Sequence, residues 1–246
     1  MIQYEVRDGI GWILLNRPEK LNAMSAAFWG ELRSTMALAD GDDEVRAVVF
    51  HGAGRCFSVG ADIAAFADVE PNEEAGRAFA SEVIEALLSV EMASTPSIAA
   101  VHGYALGGGC ELTMVCDLVV ADETASFGTP EAAIGLVPGL GMLRARAHVN
   151  LHWLKYMVLT AQPLDARTAH IAGLVQEVVP PGLHVAAAES LALRIAAMSS
   201  NAVTGMKAFF VDEAARRLDD AVDLVAALQQ SDDVQARVAG FTARHQ

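Results

Sequence analysis

Basic residues are scarce in this chain: 17 Lys and Arg stand against 31 Asp and Glu, for a formal charge of −14. A nucleic-acid surface needs basic side chains gathered on one face, so the balance argues against that partner. Long apolar runs are missing as well. Gly, Ser or a charge interrupts each stretch before the roughly 20 residues of a membrane span, and no membrane partner is expected. The three cysteines, Cys56, Cys110 and Cys116, form no pairwise framework and no close metal-ligand spacing. An odd count fits a reducing compartment, so a cytoplasmic protein is expected. Cys110 and Cys116 read as small buried apolar residues. The opening Met1-Ile2-Gln3-Tyr4-Glu5 has neither the basic-then-apolar pattern of a secretory signal nor the Arg-rich pattern of a transit peptide.

What is present is core-forming material. With 246 residues, 53% of them hydrophobic, the chain lies within single-domain range for an α/β architecture. Alternation at Ile2, Tyr4 and Val6, the Asp8-Gly9 turn and the apolar run Ile10 to Leu15 predict a β-hairpin. Ser25 stands at an N-cap position before Phe28, Leu32, Met36 and Ala39, which recur at helical spacing. A strand from Arg46 to Gly52 follows, then a polar, acidic stretch from Ala64 to Asn72 that reads as a mobile loop. Phe79, Val83, Leu87 and Leu88 mark a second helix, which Thr95-Pro96 stops before the next strand. Beyond about Asp165 the pattern turns to short Ala-rich helices, with Asn201 and Asp232 as N-caps and strand character only from Leu174 to Val179.

Two apolar runs end in His-Gly, at His51-Gly52 and His102-Gly103, and each leads through glycines toward a helix start. The first loop is Ser58-Val59-Gly60-Ala61-Asp62; the second runs from Gly103 through Gly107-Gly108-Gly109 to Cys110-Glu111. Glycines there leave backbone N–H groups uncovered, so an anionic oxygen can approach them. Thr129-Pro130-Glu131 follows. Taken singly, Glu111 near a helix start and Glu131 after a proline read as dipole-compensating acids. Together, beside the glycine loops, they read as a carboxylate pair next to an oxyanion hole. No Gly-Lys-Ser/Thr or Gly-x-Gly-x-x-Gly supports a nucleotide loop. Ser58 and Ser126 lie outside any Gly-x-Ser-x-Gly elbow, which argues against a Ser-His-Asp hydrolase. Asp62 reads as a loop brace, Asp117 as a turn residue before Leu118-Val119-Val120, and His51 and His102 as buried, satisfied histidines at strand ends.

The order and spacing of these pieces resemble the crotonase, or enoyl-CoA hydratase/isomerase, superfamily nearly end to end. The matching pieces are Leu15-Asn16-Arg17-Pro18 with Leu21-Asn22-Ala23, Gly60-Ala61-Asp62, Gly103 to Glu111 and Cys116-Asp117. Phe127-Gly128 with Pro130-Glu131, Gly135-Leu136-Val137-Pro138-Gly139 and Ala172-Gly173-Leu174-Val175 complete the set. The resemblance implies an α/β spiral of repeated ββα units over residues 1–185 and a helical region over 186–246 that packs subunits into homotrimers or dimers of trimers.

It also implies an acyl-CoA thioester substrate, with no metal or redox cofactor. Ala61 and Gly108 would be the oxyanion-hole donors, Glu111 and Glu131 the acid–base pair, and Gly139 would help fix the attacking water. Coenzyme A would be held by Arg17, Lys20, Leu21, Ala61, Asp62 and Ile63, with Phe241 and Arg244 reaching its nucleotide end across a subunit boundary. An acidic chain must bind those phosphates through local cations and backbone N–H groups. After Gly139 many hydratases continue with a glycine pair and Thr-Gln-Arg-Leu, whereas this chain has Leu140-Gly141-Met142-Leu143-Arg144-Ala145-Arg146, so Met142 and Leu143 are expected to reshape the acyl-pocket wall. The activity implied is enoyl-CoA hydratase. The alternatives are a Δ3,Δ2-enoyl-CoA isomerase, another specialised acyl-CoA enzyme of the superfamily, and a non-catalytic acyl-CoA-binding scaffold.

Overall fold

The computed structural model describes residues 1–63 and 72–211. β1 (Ile2–Arg7) and β2 (Ile10–Leu15) form the expected hairpin, with Asp8 and Gly9 at φ 55 and 74 making its turn. α1 (Ala26–Asp40) begins after Ser25, whose backbone is extended as at an N-cap but whose hydroxyl makes no cap hydrogen bond. Phe28, Leu32, Met36 and Ala39 are buried, as their spacing predicts. β3 (Ala47–Gly52), α2 (Glu73–Glu91), β4 (Ser97–Val101), β5 (Tyr104–Leu106) and α3 (Gly108–Val115) follow. Then come β6 (Leu118–Asp122), β7 (Ser126–Gly128), a 3-10 turn (Pro130–Ile134) and α4 (Leu140–Ala145). The rest is α5 (Leu151–Thr160), β8 (Leu164–Asp165), α6 (Ala166–Ala172), β9 (Glu177–Val179), α7 (His184–Ala196) and α8 (Ser200–Val211).

The main sheet has the order β1-β2-β3-β4-β6-β9 and is parallel apart from the opening hairpin. The middle of each central strand is apolar because both faces are covered, with polar residues only toward the ends, as at His51, Ser97 and Asp122. Val48, Phe50, Ala99 and Val101 turn toward the large core built with α1, α2 and α3, while Ala47, Val49, Ile98 and Ala100 meet Ala188 and Ala192 of α7. A smaller sheet, β5-β7-β8, stacks beside it, and Ser58 bridges to Ala105 at its edge. The successions β4-β5-α3 and β6-β7-3-10 turn are thus consecutive winds of a spiral, each giving one strand to each sheet. Within this winding the His-Gly strands β3 and β4 pair directly, Val49 opposite Ile98.

Several boundaries differ from expectation. Helix α7 spans the expected junction at 185/186, and its Ala188 and Ala192 pack on the second face of the sheet. Leu174 and Val175 are buried but not extended: Gly173 (φ 95) ends α6, and both amides turn back to the Ala169 carbonyl, leaving only Glu177–Val179 as strand. The Val203 amide bonds to the Ser199 carbonyl, which places the N-cap of α8 at Ser199 with Asn201 inside its first turn. Of the expected Ala64–Asn72 loop, Asn72 is the N-cap of α2, its side chain accepting from the Ala75 amide. The rest of that loop, the Asp232 cap, Phe241 and Arg244 lie outside the described residues.

Candidate active site

Two loops meet backbone to backbone. Gly60 (φ 86) packs so closely that a Cβ there would lie 2.6 Å from the Leu106 carbonyl oxygen and 2.9 Å from the Gly108 nitrogen. A side chain at Gly60 would push the loops apart. Met24 anchors the first loop, donating to the Gly60 carbonyl and accepting from the Asp62 amide, so the intervening Ala61 N–H is turned away from that ladder. Gly108 opens α3, where the first amides have no partner within the helix. Among the described residues neither the Ala61 nor the Gly108 N–H has an acceptor. The Trp29 ring and Met24 sulfur back onto Gly108, where a Cβ would stand 3.0 Å and 3.4 Å from them.

Glu111 lies one turn into α3 and is only 5% exposed. Its Oε1 accepts the Gly141 amide at 2.8 Å, at the start of α4. Burial raises this carboxyl to about 7, and the Gly141 and Gly139 amides hold it from rising further. Gly139, the residue before α4, therefore faces Glu111 itself. Glu131 hangs from the 3-10 turn; its Oε1 is 3.1 Å from where a Cβ of Gly107 would be, and its Oε2 is enclosed without a hydrogen-bond partner. Burial, then repulsion from Glu111, raises it to about 8. The structure thus brings the two glutamates, the two glycine loops and Gly139 into one place.

The expected coenzyme A residues are placed more diversely. Arg17 Nη1 is held by Asp62 Oδ2 at 2.8 Å and the Ala23 carbonyl at 3.2 Å, so this cation braces the loop that carries Gly60 and Ala61. Asp62 is accordingly the loop brace the sequence suggested. Lys20 is exposed, and Leu21 (φ 53) accepts from the Val59 amide. Ile63 forms a small apolar cluster with Ile134 and Leu136, against the turn that carries Glu131. Leu143 packs on the main core, so at that position the departure after Gly139 is absorbed by packing. Ser58 is fully buried, donates to the Asn22 carbonyl at 2.8 Å and accepts from the Gly60 amide, which removes it as a nucleophile.

Sequence reasoning gave no site role to Asn22. Its amide donates to the carbonyls of Ala53, Cys56 and Phe57 while its Oδ1 accepts from the Arg17 amide, tying the whole approach to Gly60 together. The only sequence signal was its place in Leu21-Asn22-Ala23. Trp29 and Met24 were hidden because apolar residues beside a site look the same as core.

Spiral, paired amides and paired carboxylates define an acid–base site beside an anion-accepting pocket on a wound α/β scaffold. The profile of the enoyl-CoA hydratase/isomerase family matches residues 5–245, and the chain belongs to that family. The short-chain-enoyl-CoA hydratase of Clostridium acetobutylicum is 36% identical over 197 residues, 79% of this chain and 74% of that protein. Among solved structures, an enoyl-CoA hydratase/isomerase from Mycobacterium paratuberculosis superposes with a TM-score of 0.90 at 27% identity, covering 97% of each chain. Pseudomonas aeruginosa DspI does so with a TM-score of 0.82 at 33% identity, over 89% of each chain.

Proposed function

We propose that the protein is an enoyl-CoA hydratase, adding water reversibly to a trans-2-enoyl-CoA to give a 3-hydroxyacyl-CoA. The observation that carries this reading is the enclosed Glu111–Glu131 pair beside two undonated amides. Attack at C3 drives negative charge onto the thioester oxygen, and the Ala61 and Gly108 N–H groups receive it, Gly108 with the added field of the α3 N-terminus. Glu111, the lower of the two carboxyls, takes a proton from water as its oxygen bonds to C3. Glu131, the higher, gives its proton to C2 as the double bond is lost. The pair ends with its proton on the other partner and its net charge unchanged, so dehydration runs the same path backward.

Gly139 supports this by facing the same carboxylate that would hold the water. Coenzyme A would run past Lys20, Leu21 and Ile63, with Arg17 and Asp62 holding the loop that contacts it; Phe241 and Arg244 complete that proposed set. Hydration is redox-neutral, and amides and carboxylates supply the polarisation and the proton, so the proposal needs no cofactor. A cytoplasmic homotrimer or dimer of trimers is the proposed assembly. Among the described residues no helix is long and apolar enough to cross a membrane.

The test is loss of conjugated enoyl-thioester absorbance with crotonyl-CoA, then with longer and branched trans-2-enoyl-CoA thioesters. Rapid loss with 3-hydroxyacyl-CoA as product supports hydration. Conversion of a 3-enoyl thioester to the 2-enoyl isomer without any hydration would overturn it in favour of isomerase.

A further inference from the structure

Helix α4 has six residues, too short to hold its own position in water. Leu140, Gly141 and Ala145 are buried in the core, but apolar burial is non-directional, whereas hydrogen bonds and ion pairs fix an orientation. Among the described residues its side chains and uncapped amides make two polar ties to other elements, one near each end. Near its start the Gly141 amide meets Glu111 Oε1 at 2.8 Å. Near its end Arg144 Nε meets Oε2 of Glu91, the last residue of α2, at 2.9 Å, with the two side chains 10% and 17% exposed. The Gly141 contact is already tight, since a Cβ there would lie 2.7 Å from Glu111 Cγ and 2.9 Å from the Met114 sulfur. A small roll of α4 therefore separates the amide from the carboxylate.

We propose that Arg144 and Glu91 are positioning residues, whose buried ion pair fixes the pose of α4 and so the aim of the Gly141 N–H at Glu111. Neither need touch substrate. Arg144 falls in the segment where this chain departs from the glycine pair and Thr-Gln-Arg-Leu of many hydratases. Asp117 and Lys207, themselves paired at 2.8 Å, are the other charges facing Glu91. Among the described residues, the titratable groups facing Glu111 are Glu131 across the site and Cys110 on its own helix. The inference rests on the hydratase reading for its kinetic arm only.

The experiment uses the full-length protein carrying Arg144→Met, Glu91→Gln, Arg144→Lys or the double change Glu91→Met/Arg144→Met. Each is assayed with crotonyl-CoA against pH, and the Glu111 carboxyl is titrated by 13C NMR, assigned with Glu111→Gln. Misaiming the amide lowers kcat about 10- to 100-fold with KM within about twofold. It also raises the Glu111 midpoint by about one pH unit, a tenfold change in ionisation. Arg144→Lys keeps the charge and stays near the unmodified protein. The double variant leaves no unpaired buried charge, so it folds even where a single change does not, and it keeps the kinetic loss and the shifted midpoint. Unmodified kcat and midpoint in the double variant would overturn the proposal, as would single variants that lose thermal stability alone. If the unmodified protein fails to hydrate crotonyl-CoA, the functional reading falls while the titration still decides the positioning role.

Discussion

The single charge that the proposed catalysis needs on the Glu111–Glu131 pair is costly to the fold. Burial raises both, to about 7 and about 8, so the folded protein disfavours the charged forms that an unfolded chain would carry at neutral pH. The pair titrates as a unit, and kcat/KM should trace a bell with limbs near these values, requiring one carboxyl ionised and the other protonated. Glu111→Gln and Glu131→Gln should each lower kcat by roughly 10²–10⁴, the usual worth of a positioned acid or base. Each should also raise the melting temperature at pH 8, by about 2–4 °C per kcal/mol gained, with the gain shrinking toward pH 5 where the native carboxyls are already neutral. Thermal melts beside the absorbance assay check both; a variant that lost turnover and melted lower at pH 8 would contradict the electrostatic reading. Glu111 was legible because it directly follows Gly107-Gly108-Gly109-Cys110; Glu131 comes only after α3, β6 and β7, and was legible through the order of the pieces that the resemblance rests on. Asn22 and Ser58 were not: a buried side chain satisfying distant carbonyls leaves no period and no local spacing.

The loops and strands sort the same way. β2, α1, β3 and β4 each bury a long face, while β1 alternates half-buried Ile2 and Tyr4 with exposed residues; the hairpin, α1, β3 and β4 announce themselves by alternation, helical spacing or unbroken apolar runs. The second sheet does not. Its strands span only Tyr104–Leu106, Ser126–Gly128 and Leu164–Asp165, too short to display a period, and they exist because the spiral brings them together. Helix α7 was legible as a helix, but its role against the sheet depends on small residues, Ala188 and Ala192, that let it sit close. The meeting of the two glycine loops is itself testable. Gly60→Ala places a Cβ 2.6 Å from the Leu106 carbonyl at a left-handed φ of 86, so the loops must part and the amide pair with them. A fall in kcat of roughly 10²–10³ is expected, the scale of a lost oxyanion donor. Gly182→Ala is the control. Its φ is 82 with nothing within 4 Å of a Cβ, so it carries similar backbone strain without crowding and should cost stability alone. Equal activity losses in the two variants would trace the effect to strain and remove the loop contact from the mechanism.

Two groups of ionisable residues pull the stability of the protein in opposite directions as pH falls. On the face of the sheet toward α7, His51 and Asp122 end β3 and β6, and His102 follows β4. His184, the first residue of α7, stacks on His102 with ring centres 4.5 Å apart and lies 3.2 Å from Asp122 Oδ2. Burial, then repulsion from His184 and Arg7, lowers His51 below its ordinary 6.5; burial, then repulsion from His102, lowers His184 despite the attraction of Asp122. An unfolded chain therefore binds protons at these sites before the folded one does, and their contribution to stability is lost as pH drops below about 6.5. Glu111, Glu131 and Glu91 act the other way. Their folded values are raised, so their contribution is fully present below about 4.5 and is lost as pH climbs, toward 7 for Glu111 and toward 8 for Glu131, with Glu91 shifted in the same direction. From pH 8 to about 6.5 only the glutamates respond, and stability rises; from there to about 4.5 the two groups oppose, and the curve flattens. Lower still, Asp122, Asp40 and Glu31, all held below their ordinary values, are protonated and lose what favours their charged forms: hydrogen bonds at all three, with His184 beside Asp122 and the N-terminal ammonium beside Glu31. The melting temperature should therefore be greatest below about pH 6.5, on the acid side of the activity window between about 7 and about 8. Replacing both active-site glutamates with glutamine removes most of the alkaline loss, and the maximum should move to pH 7 or above. Melts of the two proteins from pH 5 to 9 decide the matter, since coincident maxima for stability and activity in the unmodified protein would show that the carboxylate pair carries no folding cost.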